Sequence, residues 1–457
     1  MSESLARAWR FGVVDELTCY FDSPAEPANV HLEAWLPGHL DPDRLRDAVA
    51  TVLTALPRAR VRRAPGGWWR TGYTWTVPPE ADLDPVSVLS WRTEPDLDVA
   101  RAGFLATAPP LDQSPPFRLL LASGPGLDSL ILNANHAAFD GRSCLALMRM
   151  IAEAYGFAAA SAAGDGAAAD RGLGGRPAEP QRPPARPAEP LPPPGQVRRA
   201  RLRRVARIAA RPADRRAPGY GFLLLEWPGI PVRPPRQSGQ QSRATVNDLL
   251  VAALIETVAR WNAALRRPQR PIRITIPVDV RPPGDDELGN KSALCAVTVR
   301  PGDADADRLT VVSAQTQRAK QRPGRQVGVA LSAVTRVPLP TPVKRRLLRT
   351  AVRCLGILMS DTSLLTNLGN ITSLPCFGHL PAERLWFSTY AHMPRGLSVG
   401  AITVAGRLRL CFRYRLALLD DAAAAAFAAT YADALARLVD ANADADTGAG
   451  TGVAVKR

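Results

Sequence analysis

The sequence is poor in the residues that build disulfide frameworks, metal clusters and membrane spans. Its six cysteines lie far apart with no Cys-x-x-Cys pair, and it has only five histidines. Such spacing argues against a disulfide framework or a zinc cluster and favours free thiols. No apolar stretch reaches the roughly 18 residues of a membrane span, and residues 1–21 lack a signal-type apolar region. We therefore expect a cytoplasmic protein with no metal site, no permanently bound cofactor and no membrane partner.

Proline, by contrast, is abundant, and much of it lies in one segment. The chain has 43 prolines in 457 residues, and in residues 158–195 the only large apolar side chains are Leu173 and Leu191. An Ala/Gly-rich and then proline-rich stretch of this kind cannot form a core and is typical of a spacer. We predict an N-terminal half (1–157), a largely disordered Ala/Pro/Arg-rich linker (158–217), a C-terminal half (218–441) and a flexible tail (442–457).

The net charge of +16 is also concentrated. Residues 196–216 contain nine Arg and one Asp, and residues 308–360 contain eleven Lys or Arg and no acid. The first run is interpreted as a solvated arm; the second includes 341–353, whose apolar spacing predicts a helix with a basic outer face. Interleaved aromatic residues and a known nucleic-acid fold are missing, which makes nucleic acid an unfavoured partner.

Each half mixes strands and helices irregularly, with hairpins, which predicts an α/β protein of the α+β sandwich type. Helices are predicted at 41–56, where Asp41 caps and Pro42 starts the helix, and at 143–155, 245–265 and 421–439. Strands are predicted at 117–122, 129–135, 272–278, 294–299, 384–390, 397–404 and 407–413.

One short motif, NHAAFDG at 135–141, stands between a predicted strand and a predicted helix. A neutral imidazole at His136 can take a proton from an attacking hydroxyl or amine. The alternative is a plain turn in which His136 makes a local hydrogen bond. No Gly-x-Ser-x-Gly nucleophile is present, and Ser143 and Cys144 fit a helix start, so direct transfer is favoured over a covalent acyl-enzyme.

This motif resembles the HHxxxDG signature of the superfamily of nonribosomal peptide synthetase condensation domains and polyketide-associated acyltransferases. It also resembles the HxxxDG of chloramphenicol acetyltransferase-like and BAHD enzymes. Other segments are similar to family segments in the family's order: LPGHLDPDRLRDAVATVLTALPRARVR, TVNDLLVAALIETVARW, IPVDVRP with LGN, TNLGNI, and GRLRLCFRYRLALLDDAAAAAFAATYADAL. The sequence has no DFGWG-like motif, which argues against close kinship with the plant-type enzymes.

The resemblance implies a pseudo-dimer of two chloramphenicol acetyltransferase-like halves with a channel between them. His136 matches the catalytic histidine, and Asp140 matches a structural aspartate that pairs with an arginine, here Arg281. Gly141 matches the motif's glycine, and Asn135 replaces its first histidine. Candidates for an oxyanion contact or the channel wall are Asn367, Thr366, Ser398 and His392, each of which has an ordinary structural alternative.

The resemblance further implies a thioester co-substrate, either coenzyme A or a phosphopantetheine carrier. Lys344, Arg345, Arg346 and Arg349 are the predicted basic docking surface for this donor or for an acidic acyl or peptidyl carrier protein. The predicted function is a free-standing acyltransferase that moves an acyl group to a hydroxyl or amine of a small specialised metabolite, as in antibiotic biosynthesis. The alternatives are a carrier-dependent condensation enzyme that forms an amide bond, and a catalytically silent carrier-recruiting module.

Overall fold

In a computed structural model of the chain, the structure describes residues 8–162, 204–228, 244–282, 285, 287–301, 305–321, 335–359 and 361–448. The first half contains eleven elements and a 3-10 turn at Pro57–Arg60. They are β1 (Ala8–Arg10), α1 (Val13–Phe21), β2 (Asn29–Leu36), α2 (Pro42–Ala55), β3 (Arg62–Arg63), β4 (Thr74–Thr76), β5 (Val86–Ser90), α3 (Glu94–Phe104), β6 (Phe117–Gly124), β7 (Leu127–Asn135) and α4 (Gly141–Ala162).

The second half mixes strands and helices in the same way. Its elements are β8 (Tyr220–Trp227), α5 (Val246–Ala264), β9 (Ile272–Asp279), β10 (Ser292–Val299), α6 (Asp305–Gln321), α7 (Thr341–Met359), β11 (Ser363–Ile371), β12 (Cys376–Phe377), β13 (Leu380–Pro381), β14 (Arg384–Thr389), β15 (Leu397–Val404), β16 (Arg407–Arg415) and α8 (Asp421–Gly448). The predicted mixed α/β class is confirmed. At α2, Asp41 caps the helix as predicted, because its side chain accepts the backbone N–H groups of Asp43 and Arg44.

Two large sheets organise these elements. The first sheet has the order β14-β2-β7-β6-β5, and the second has the order β10-β9-β11-β15-β16-β8. The predicted strand at 384–390 is present as β14, but it pairs antiparallel with β2 of the first half, from Arg384 opposite Trp35 to Thr389 opposite Val30. The second half therefore donates a strand to the sheet of the first, and the halves are joined by a full ladder of backbone hydrogen bonds.

The described end of the predicted linker packs against the second half. Ala206, Ile208 and Ala209 are buried in the second core, and the backbone N–H of Ala209 donates to the Asn262 side chain at 2.8 Å. This part of the Arg-rich run is thus not the solvated arm expected from its charge, because the apolar residues between its arginines pack into the second core. Residues 163–203 of the predicted linker and 449–457 of the predicted tail lie outside the described residues.

A buried polar layer lies between the two sheets. Along β2, Val30, Leu32 and Ala34 face the first core, while Asn29, His31 and Glu33 are fully buried on the opposite face. Glu33 forms a bidentate ion pair with Arg101 of α3, with N···O distances of 2.6 and 2.8 Å. Along β16, Leu408, Leu410 and Phe412 likewise enter the second core, which leaves Arg409, Cys411 and Arg413 in the polar layer.

The sheets approach each other most closely where β14 passes β15. A Cβ atom at Gly400 would lie only 2.0 Å from the carbonyl oxygen of Phe387, so the backbones touch there and only glycine fits.

On the far side of the second sheet, the 421–442 part of α8 is long and apolar enough to cross a membrane by length and composition. Its Phe427, Tyr431 and Leu435 are buried in the second core, which marks α8 as a core helix.

Candidate active site

The motif loop begins where β7 ends and is held by Asn135. The Asn135 side chain accepts the backbone N–H of Ala137 at 3.0 Å and donates to the carbonyl of Pro109 at 2.9 Å. At the other end of the loop, a Cβ atom on Gly141 would lie 2.6 Å from the ring of Phe387. Asn135 thus shapes the loop through hydrogen bonds, and Gly141 allows the loop to pack tightly against Phe387.

The Asp140–Arg281 pair links this loop to the second half. Arg281 donates to both carboxylate oxygens of Asp140, at 2.8 and 3.0 Å. The carboxylate also accepts the backbone N–H groups of Ser143 and Lys291, each at 2.9 Å. Burial raises the pKa of Asp140, but the hydrogen bond and charge of Arg281 outweigh it and hold the pKa below its usual value. The pair therefore remains ionised at neutral pH.

The hairpin between β9 and β10 also holds the backbone of His136. The Asn290 side chain donates to the carbonyl of His136 at 2.9 Å, and the Ser143 hydroxyl donates to the carbonyl of Gly289 at 2.7 Å. Asn290 was not predicted as a site residue, although the LGN motif that contains it was recognised. These bonds place the histidine at the seam between the halves.

His136 is half-buried, and its ring is the first of a series of three. Its centroid is 5.3 Å from that of Tyr390, which is 4.4 Å from that of His392. The Nδ1 atom of His136 is buried without a normal hydrogen bond to any described residue. Burial lowers the pKa of His136, while its own backbone carbonyl and the charge of Asp140 weakly oppose this. The imidazole is therefore neutral at pH 7, as a general base must be.

The four candidate oxyanion or channel residues have different environments. The Ser398 hydroxyl is fully buried and donates to the carbonyl of Thr389 at 2.7 Å, and the Asn367 side chain accepts the backbone N–H of Gly369 at 2.8 Å. Thr366 is buried on β11 opposite Gly400. Of these four, His392 is in the ring series that includes His136, and burial lowers its pKa to about 3. Tyr390, the ring between them, was missed by the sequence analysis.

The predicted basic docking surface on α7 is largely turned inward, which corrects that prediction. Lys344 is 2% exposed and donates to the carbonyls of Thr71 and Thr335. Arg345 and Arg349 donate to backbone carbonyls at the end of α1 and just after it. Arg346 remains exposed, and so does Leu347, at 55%. The helix packs through its basic face because free carbonyl oxygens there accept its cationic donors.

A polar cavity of about 400 Å³ opens beside the motif loop. It is bordered by Ser143 and Arg149 of α4, by Arg281, and by Leu368 and Asn370 of β11. The cavity therefore lies along the seam of the two halves, next to the Asp140–Arg281 pair.

Neither a metal ion nor a cysteine nucleophile finds a suitable site among the described residues. No group of three or more His, Cys, Asp or Glu residues in this part of the chain is arranged to hold a metal ion. Cys144 is fully buried, and burial raises the pKa of its thiol well above the ordinary value. Cys144 is thus a poor nucleophile, in agreement with the expected direct transfer.

Solved structures with a similar fold include a condensation domain and a nonribosomal peptide synthetase. A variant of the starter condensation domain of rhizomide synthetase RzmA, in complex with C8-CoA, has a TM-score of 0.59 and 14% identity, covering 95% of each chain. Nonribosomal peptide synthetase FmoA3 has a TM-score of 0.56 and 16% identity over 96% of this chain. This chain spans 43% of the length of FmoA3. The condensation-domain fold, a pseudo-dimer of chloramphenicol acetyltransferase-like halves, is therefore confirmed.

Two relatives that are similar in sequence come from Mycobacterium tuberculosis. The uncharacterized proteins Rv2305 and MT2362 are each 30% identical over 451 residues, which covers 94% of this chain and 100% of each relative. The chain belongs to the family of these two proteins. No model of a known protein family matches it.

Proposed function

We propose that the protein is an acyltransferase that moves an acyl group from a thioester to a hydroxyl or amine of a small molecule, with His136 as general base. The observation that carries the proposal is the geometry of His136, a neutral imidazole held at the seam of the halves by Asn290. Asp140 and Arg281 position the loop and do not contact the reacting atoms.

The proposed reaction is a direct transfer. Because Nδ1 is buried, Nε2 of His136 takes the proton as the acceptor oxygen or nitrogen attacks the thioester carbonyl. The new C–O or C–N bond forms, the C–S bond breaks, and the proton passes to the leaving sulfur as a thiol. Thr366 and Asn367 remain the proposed contacts for the oxyanion, whereas Ser398 is not proposed, since Thr389 already binds its hydroxyl.

The donor in this proposal is acyl-coenzyme A or an acyl group on a carrier protein. The polar cavity at Arg149 and Arg281 is the proposed entrance for the thioester arm, since it borders the motif loop. The C8-CoA complex of the RzmA starter domain supports a coenzyme A thioester as co-substrate. Cys19, Cys144, Cys376 and Cys411 are free thiols, which is compatible with the proposed cytoplasmic location.

Thiol release tests the proposed donor. The protein is mixed with octanoyl-coenzyme A, or with octanoyl groups on a phosphopantetheinylated carrier protein, and a panel of small amines and alcohols. Free thiol is measured with a chromogenic disulfide, and products are identified by mass spectrometry. We expect acceptor-dependent thiol release with at least one donor, and the preferred donor separates the coenzyme A reaction from the carrier reaction. No acceptor-dependent release with either donor would contradict the proposal.

The pH dependence of kcat/KM is a further expected result. A base must be neutral, so the rate falls as His136 is protonated; since burial lowers its pKa, the fall occurs below the ordinary histidine value of about 6.5. We expect kcat/KM to be level near pH 7 and to decline only at more acidic pH. A decline centred above pH 7 would argue against a buried, neutral His136 as the base.

A further inference from the structure

Arg413 on β16 is fully buried and lacks an acidic partner in the described part of the chain. Its side chain is 0% exposed, and its Nε and Nη1 atoms have no hydrogen-bond partner. Its Nη2 atom makes one long hydrogen bond, 3.5 Å, to the carbonyl of Leu105. An unpaired buried charge costs several kcal/mol, so a guanidinium in this state needs an anion that the described residues do not supply.

The surroundings of Arg413 add positive charge and further free polar atoms. The guanidinium carbons of Arg413 and Arg415 lie 4.5 and 4.7 Å from the ring centroid of Tyr220. The Tyr220 hydroxyl and the Nε of Arg415 are buried and also lack partners. Glu26 lies 3.9 Å from the Nε of Arg415 and accepts the backbone N–H of Met393. The one carboxylate that the described residues bring to this cluster thus lies at Arg415 and is already engaged, and it leaves Arg413 without an acidic partner.

A row of side chains connects this cluster with the proposed base. The ring of His136 contacts that of Tyr390, and Tyr390 contacts His392. Arg413 lies directly opposite Ser398 of β15, and the Ser398 hydroxyl donates to the carbonyl of Thr389, the residue before Tyr390. The free donors thus lie inside the protein, on the same seam as His136 and deep beneath the surface.

We propose that Arg413, with Arg415 and Tyr220, binds the carboxylate of a small-molecule substrate whose other end reacts at His136. This inference rests on the proposed function. Charge-assisted hydrogen bonds to a carboxylate satisfy the free guanidinium donors. The carboxylate belongs either to the acceptor, as in an amino or hydroxy acid, or to the distal end of a dicarboxylic acyl group. The phosphates of coenzyme A are poorly suited to this site, because they carry a bulky nucleotide and Arg413 has no exposed surface.

Binding measurements with matched probes test the site without any need for turnover. Calorimetric titration compares hippurate with hippuramide as acceptor-side probes, and succinyl-coenzyme A with butyryl-coenzyme A as donor-side probes. We expect one carboxylate probe to bind roughly tenfold or more tightly than its neutral partner, and Arg413→Gln to abolish that difference. The pair that shows the effect identifies which substrate carries the carboxylate. Equal affinities within both pairs would overturn the proposal.

Arg409→Gln is the matched control for Arg413→Gln. Arg409 lies on the same strand and face, is also buried, and has the same two atoms without a hydrogen-bond partner. Unlike Arg413, it has a carboxylate beside it, since Glu226 lies 3.5 Å from its Nε, so carboxylate selectivity should be unchanged. If Arg413→Gln does not fold, Tyr220→Phe removes only a hydroxyl without a partner, and a several-fold loss of selectivity is expected. Full selectivity in a folded Arg413→Gln or Tyr220→Phe variant would refute the site. Selective binding without thiol release would contradict the proposed function and leave the anion site standing.

Discussion

Replacement of His136 by Ala is expected to reduce acceptor-dependent thiol release by about 10²–10⁴-fold, the usual contribution of a general base. The imidazole is neutral at pH 7 because desolvation of the ring lowers the pKa of His136. The measurement is kcat with the preferred donor at pH 7 for wild type and variant. The decline of kcat/KM at acidic pH should also disappear in His136→Ala.

The matched control is His379→Ala, because His379 is exposed on the turn between β12 and β13. This variant should keep the wild-type rate. Both variants should retain the wild-type circular dichroism spectrum, since neither side chain is a large part of a core. A His136→Ala protein that kept more than a tenth of the rate would exclude His136 as the general base.

The contact between Asp140 of the motif loop and Arg281 of the second half was predicted from the sequence. The prediction used the motif between a strand and a helix, with its histidine, aspartate and glycine, and the segment IPVDVRP further along the chain. In the structure the side chains of Asp140 and Arg281 are 2.8 Å apart. The family resemblance supplied that pairing. Local pattern alone would have left Arg281 as one of many arginines, since nothing in its own segment specifies a partner 141 residues away.

The position of β14 could not be predicted from its residues. Its apolar pattern predicts a strand but does not show which sheet the strand joins. The pairing with β2 is made by backbone N–H and C=O groups, which every sequence has. Tyr390 follows this strand, so its contact with His136 could not be predicted either, although His392 was named as a candidate for the channel wall. His136 and the ring of Tyr390 meet because a strand from the second half crosses to the first sheet.

The orientation of α7 was predicted wrongly for a related reason. Its basic residues were expected to face solvent, as charged residues on an amphipathic helix usually do. Free carbonyl oxygens near the end of α1 accept hydrogen bonds from Arg345 and Arg349 instead, and Leu347 is left exposed. An amphipathic pattern shows that a helix has two faces, but the partner surface decides which face is buried.

Replacement of Arg281 by Met is expected to lower the free energy of unfolding by about 3–5 kcal/mol, because it leaves the Asp140 carboxylate buried without its cation. Asp140 and Arg281 are only 4% and 7% exposed, so solvent cannot compensate. The loop that presents His136 should shift as well, and thiol release should fall. Urea unfolding followed by tryptophan fluorescence, together with the kcat assay, measures both effects.

The pH dependence of this loss distinguishes a broken ion pair from poor packing. In the wild type Arg281 lowers the pKa of Asp140, so the pair stabilises the fold above the unfolded pKa of about 3.9 and stops doing so as the pH falls through the folded pKa. Without Arg281, burial raises that pKa, and the deficit should be full at pH 7 and smaller at pH 4.5. Arg142→Met is the matched control: it removes an ion pair to Asp279 whose arginine is 64% exposed, and it should cost less than about 1 kcal/mol at either pH. Equal losses in the two variants, or a deficit in Arg281→Met that does not change with pH, would mean that the buried pair does not stabilise the motif loop.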